Sequence, residues 1–254
     1  MIAELHGKIS KNAAKLHDRL EDQLTGDFFG VLRYVPFNEG MKKILLETEM
    51  PGENDNTIHT DISSIDAYEW SQNIEFWPRI QSTEPDVIIK IADIMILIEV
   101  KLDSGLSSDD DTDYAKALEE ENKTNANQLD REARTLLEKS EDLRPILILL
   151  APAKSAYSIY KDVCERRLPS LKKVSFGLLT WEKVLESIAN INCDDPFKRV
   201  IFTDLKLLLQ RKGFERFKSF LVGDIVEPSY WTFSVNFSFT DNSFIQKGVY
   251  YEFG

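Results

Sequence analysis

The clearest pattern of apolar and polar positions lies in residues 86–101, DVIIKIADIMILIEVK. β-Branched residues recur at every second position on either side of Ala92–Asp93, which predicts two strands joined by a two-residue turn. Pairing Ile91 with Ile94 and counting outward sets Asp86 opposite Glu99. Successive side chains point to opposite faces of a strand. One face therefore holds Val87, Ile89, Ile91, Ile94, Ile96, Ile98 and Val100, all β-branched, and reads as core. The other holds Asp86, Ile88, Lys90, Met95, Leu97, Glu99 and Lys101, with its charges gathered at the open end of the hairpin.

Around this hairpin the periodicity changes. Residues 8–24 read as an amphipathic helix with Ala13, Leu16, Leu20 and Leu24 on one stripe. Gly26 marks a stop or bend, and an apolar segment continues to Pro36. Residues 50–64 carry the turn chemistry of a polar loop. Tyr68, Trp70, Phe76 and Trp77 form an aromatic patch, suited either to core packing or to stacking on bases. After a polar stretch over 103–122, a helix is predicted from about Thr124 to Lys139 and a buried strand over 146–151. A helix around 155–167, a strand over 174–180 and helices over 182–190 and 196–212 follow. WTFSVNFSF (231–239) alternates like a half-exposed strand. Strands alternating with helices after a hairpin predict an α/β sheet with helices on both faces.

Composition narrows the class. With 254 residues, 43% of them hydrophobic, the chain can build one large core with a modest appendage. No apolar run reaches the ~18–20 residues that span a bilayer. The first twenty residues lack the apolar core of a signal peptide, so a cytoplasmic protein is expected. Cys164 and Cys193 stand far apart, without metal-knuckle or disulfide spacing, and read as buried structural cysteines. His6, His17 and His59 show no ligand spacing, which disfavours a histidine-based triad. A net charge of −12 argues against a passive nucleic-acid coat. The charge is uneven, however: residues 103–121 hold eight acids against Lys116, whereas 161–218 hold thirteen Lys or Arg against eight acids.

The hairpin carries the candidate chemistry. Two carboxylates on adjacent strands suit one hard cation such as Mg²⁺, which phosphodiester hydrolysis uses beside an activated water. A lysine two residues on can orient or help deprotonate that water and offset charge on the phosphate. The alternative is an exposed Glu99–Lys101 ion pair at a strand end, with Asp86 a turn residue after Pro85. Pro85-Asp86 followed by Glu99-Val100-Lys101 resembles the PD-(D/E)XK nuclease superfamily, and the N-terminal EDQLTGDFFGVLRY segment resembles a poorly characterised bacterial branch of it. The resemblance covers about residues 10–185 in element order.

It implies a restriction-endonuclease-like α/β core, a mixed sheet flanked by helices, with a helical and β extension over about 186–254. It also implies Mg²⁺ or Mn²⁺ held by Asp86, Glu99 and the Val100 carbonyl, with Lys101 beside the water. Members often bring a glutamate from the first helix to the metal. At ~100° per residue Glu21 borders the Leu16–Leu20–Leu24 stripe, and Asp22 does not. Glu21 is therefore the expected extra metal group, a solvated helix-edge glutamate being its alternative. Gln128, in NQLDREARTLL, is the expected site glutamine from the helix after ExK, with an ordinary surface amide as its alternative. The implied activity is a metal-dependent nuclease acting on nucleic acid, expected to be DNA, with defence against foreign DNA as its setting and a homodimer or protein partner allowed. The rival expectations are a nuclease-like scaffold subunit, favoured by the net charge and the acidic loop, and a carboxylate-metal enzyme for a small phosphorylated molecule.

Overall fold

In the computed structural model the described residues are 16–51, 57–80, 83–102 and 128–215. The acidic stretch 103–121, the alternating segment 231–239 and the first turns of the N-terminal helix lie outside them.

Five strands form one sheet in sequence order: β1 (Ile74–Phe76), β2 (Val87–Ile91), β3 (Ile94–Val100), β4 (Arg144–Ala151) and β5 (Ser175–Thr180). The first three are antiparallel and the last three parallel, so the sheet is mixed. The hairpin register is Ile91 with Ile94 through Val87 with Ile98, as the alternation predicts. Its turn places Ala92 at φ +50°, a conformation unusual for a side chain other than glycine.

Helices cover both faces. On one lie α1 (Leu16–Leu32), α2 (Met41–Leu45), α3 (Thr57–Ser64), α6 (Trp181–Ala189) and α7 (Pro196–Arg211). Leu24, Phe28, Phe29, Trp181, Phe202, Leu205 and Leu209 pack there with the β-branched side of the hairpin. On the other face α4 (128–140) and α5 (Ala153–Arg166) bury Leu129, Ala133, Leu136, Ala156 and Ile159 against Ile88, Met95, Leu97 and Leu147. Every residue of β3 is buried. A strand covered on both faces reads as a continuous apolar run, which explains ILILLA and IMILI.

Helices on both faces are as predicted, and α4 lies over the hairpin face that carries Asp86 and Glu99. Several expectations change here. Gly26 does not stop α1, which continues to Leu32. The burial of Leu24, Phe28, Phe29 and Leu32 outweighs the ~1 kcal/mol helix penalty of one glycine. Within the supposed loop 50–64, Thr57–Ser64 is a helix that buries Ile58 and Ile62 one turn apart. Trp70, Phe76 and Trp77 are core residues, and only Tyr68 of the aromatic patch is exposed. Helices α6 and α7 pack into the main core, so the core extends past 185 to Phe214. Cys164 is exposed and Cys193 half-buried, and neither forms a disulfide.

Both sheet edges are limited. β1 has three residues, and β5 is bridged at Leu178 by Glu49, whose N–H donates to the Leu178 carbonyl at 2.7 Å and whose carbonyl accepts in return at 2.7 Å. Gly177 permits this close packing, since a Cβ there would collide with Thr48 Cγ2 and stand 2.9 Å from Ile58 Cδ1. Among the described residues no helix is long and apolar enough to cross a membrane.

Candidate metal centre

The strand directions gather the charged residues at one place. β3 and β4 run parallel, and β2 runs against β3, so the start of β2 and the end of β3 share the carboxyl end of the parallel strands. Ligand sites of open α/β sheets gather at this end. Asp86 precedes β2, Glu99 and Val100 finish β3, and Lys101 and Leu102 follow. The α1 helix brings Glu21 alongside, and α4 brings Gln128 and Glu132 down from the opposite layer.

Glu99 is the centre of the cluster, with 2% of its surface exposed. Its Oε1 accepts from Lys101 Nζ at 2.7 Å and from Gln128 Nε2 at 2.5 Å. Its Oε2 is buried and has no hydrogen-bond partner. Glu132, also 2% exposed, repeats the pattern: Oε1 accepts from the same Gln128 nitrogen at 3.0 Å, and Oε2 is buried without a partner. Glu21 Oε2 accepts the Leu102 N–H at 2.9 Å, and its Oε1 stands 3.5 Å from Lys101 Nζ. Asp86 has both oxygens engaged. Oδ2 accepts the Val100 N–H at 2.8 Å and Oδ1 the Trp77 Nε1–H at 3.2 Å. Trp77 itself sits at φ +44°, with its N–H donated to the Asp86 carbonyl at 3.0 Å. Trp181, at the start of α6, donates Nε1–H to the Lys101 carbonyl at 3.0 Å and fixes the strand end.

The electrostatics follow from four carboxylates about one ammonium. Burial pushes the Asp86 carboxyl well above the usual range, and the charge of Glu99 adds to it. Burial pushes Glu132 well up, and Glu99 adds to it through its charge and through the hydrogen bond that a proton on Glu132 makes to it. Glu21 is raised by burial, against the attraction of Lys101. Burial pulls Lys101 down, but Glu99, Glu21 and Asp86 together outweigh it and hold the ammonium well above its ordinary value.

The structure thus brings Glu21, Asp86, Glu99, Lys101 and Gln128 to one place, with Val100 contributing its amide. Sequence reasoning missed two participants, Glu132 and Trp77. Glu132 had a legible signal: it is an acid on the apolar side of α4, one turn after Gln128 and between Leu129 and Leu136. Trp77 had none, because its role depends on a left-handed backbone that no pattern announces.

The donor chemistry suits a hard divalent cation, which prefers carboxylate oxygens. Two buried oxygens without partners in an acidic cluster are what such an ion would satisfy. Against this, Asp86 is saturated by protein donors. Among the described residues no three His, Cys, Asp or Glu side chains form a group able to hold a metal. Compared with family models, curated proteins and solved structures, the chain matches none.

Proposed function

We propose that the protein is a divalent-metal-dependent nuclease that hydrolyses phosphodiester bonds in nucleic acid, with DNA the first substrate to test. One observation carries the reading: at the carboxyl end of buried strands Glu99 and Glu21 flank one lysine, Asp86 and Glu132 stand in the same cluster, and no N–H or hydroxyl donor reaches one buried oxygen of Glu99 and one of Glu132. Buried charge left without compensation costs several kcal/mol in effective terms, so such a cluster calls for a cation. The mixed sheet with helices on both faces is compatible with a restriction-endonuclease-like core, which forms part of the proposal. The setting in defence against foreign DNA rests on the PD-(D/E)XK resemblance alone.

Bound Mg²⁺ or Mn²⁺ would supply a Lewis acid at the phosphate and a water of lowered pKa. Glu99 would hold it, with Asp86, Glu21 and the Val100 carbonyl as the remaining expected groups. Asp86 would have to exchange the Trp77 or Val100 donor for the ion. Lys101 would present its ammonium to the attacking water or to a phosphate oxygen, since its side chain is 22% exposed while Glu99 is closed off. Gln128 would steer the Glu99 carboxylate and the substrate.

The test is cleavage of plasmid, linear and single-stranded DNA with Mg²⁺ or Mn²⁺, comparing wild type with Lys101→Ala. Metal-dependent cleavage lost in the variant is expected. Inert proteins that also fail to bind Mn²⁺ would refute the reading. The second reading, a nuclease-like scaffold subunit, draws on the saturation of Asp86 by Trp77 and Val100. It anticipates a wild-type protein that neither cleaves nor binds metal.

A further inference from the structure

Building on the metal-dependent reading, we propose that Glu132 is a ligand of the divalent cation, which lies between Glu132 and Glu99. Three observations converge. Both carboxylates are 2% exposed, each keeps one buried oxygen that no N–H or hydroxyl donor reaches, and the two groups are close enough for a proton on one to bridge to the other, a place a cation could take instead. A single nitrogen, Gln128 Nε2, donates to Oε1 of both at 2.5 and 3.0 Å, so the two groups face one small volume that a neutral amide donor occupies. The other acids are spoken for: both Asp86 oxygens accept from protein N–H groups, and Glu21 holds the Leu102 amide. The oxygens open to an ion are therefore those of Glu99 and Glu132.

The location on α4 supports the same role. Glu132 lies on the side of α4 whose Leu129, Ala133 and Leu136 pack on the sheet. A carboxylate in that stripe is costly to bury without a cation. Two carboxylates also match the habit of Mg²⁺, which keeps several waters and binds through one or two carboxylates with the substrate's phosphate completing the shell. Asp86 or Glu21 then joins the shell only by giving up a protein donor. Gln128 becomes the group that holds the pair together in the metal-free protein and yields its place on loading.

The experiment is titration of the full-length protein with MnCl₂, read by calorimetry and by the electron paramagnetic resonance of free Mn²⁺. Glu132→Gln keeps the shape and removes the charge. It is expected to bind Mn²⁺ at least tenfold more weakly, about 1.4 kcal/mol, while the metal-free variant melts no lower than wild type. A loss smaller than tenfold overturns the assignment and leaves the nuclease reading standing. A wild-type protein that binds no Mn²⁺ overturns both. If Glu132→Gln does not fold, Gln128→Ala decides. It is expected to bind Mn²⁺ at least as tightly as wild type, because the amide competes for the same oxygens, and tenfold weaker binding overturns the shared location.

Discussion

Replacing Lys101 by Met should reveal how much of the metal-free protein's stability depends on one ammonium. Its Nζ stands 2.7 Å from Glu99 Oε1 and 3.5 Å from Glu21 Oε1. At an effective dielectric of about 20 one such attraction is on the order of 4 kcal/mol at 4 Å, before desolvation is subtracted. Removing one partner of a buried pair typically costs ~3–5 kcal/mol, because the remaining charge stays buried and uncompensated. Lys101 keeps 22% of its side chain in solvent, so the lower end applies, and a loss of about 3 kcal/mol is expected at pH 8. Urea unfolding of the chelator-treated protein measures it.

The loss should shrink with acid. Asp86, Glu21 and Glu132 all have raised pKa values in the folded state. A raised carboxyl stabilises the fold fully below its unfolded pKa, near 4, and loses that contribution as pH rises through the folded value. Lys101, raised in turn, keeps its charge throughout this range. As the pH falls these raised carboxyls take up protons before ordinary ones do and need the ammonium less, so the variant should recover part of the difference. Saturating Mn²⁺ should restore about 2.7 kcal/mol at a hundred times Kd in whatever binding remains. A loss below about 1 kcal/mol that does not vary between pH 5.5 and 8 would refute the claim that Lys101 compensates this cluster.

Three further outcomes are expected. Trp77→Phe keeps the buried ring but removes the donor to Asp86, costing roughly 1–3 kcal/mol by urea unfolding while freeing an oxygen for Mn²⁺; unchanged stability and unchanged affinity would contradict the assigned contact. Gly177→Ala drives a Cβ into Thr48 and Ile58 and should cost about 1–3 kcal/mol, and a neutral melting temperature would show that α3 and the 48–49 segment move aside. Mn²⁺ affinity, followed by calorimetry between pH 5.5 and 8, should rise with pH because the raised carboxyls must shed protons before they ligate; a flat profile counts against those carboxyls as ligands.

The sequence carried the hairpin register because a period of two leaves no freedom: shifting one strand by one residue would have turned its β-branched side chains to the face that carries the charges, and the charges into the core. The same parity set Glu99 and Asp86 side by side. The covering of that face by α4 follows from the alternation of strands and helices, and Ile88, Met95 and Leu97 between the charges are the apolar surface it needs. Helix α3 was hidden by its composition: TIHTDISS looks like a loop until Ile58 and Ile62 are seen to pack and Asp61 to pair with Arg144. Gly26 misled because local propensity is weaker than the packing of Phe28 and Phe29. Glu132 lies within the stripe of Leu129, Ala133 and Leu136, and the burial of that stripe is what forces the question of its partner.

The antiparallel bridge from Glu49 to Leu178 has a consequence for assembly. An exposed final strand offers a template on which another chain can add, the usual route to continuous intermolecular sheets and to fibrils. Here Glu49 already occupies both backbone groups of Leu178, midway along β5. At the far side, three residues of β1 give an incoming strand too little length to hold. Among the described residues, then, both edges of the sheet are poor templates for a second copy, and edge-to-edge polymerisation is disfavoured at each of them.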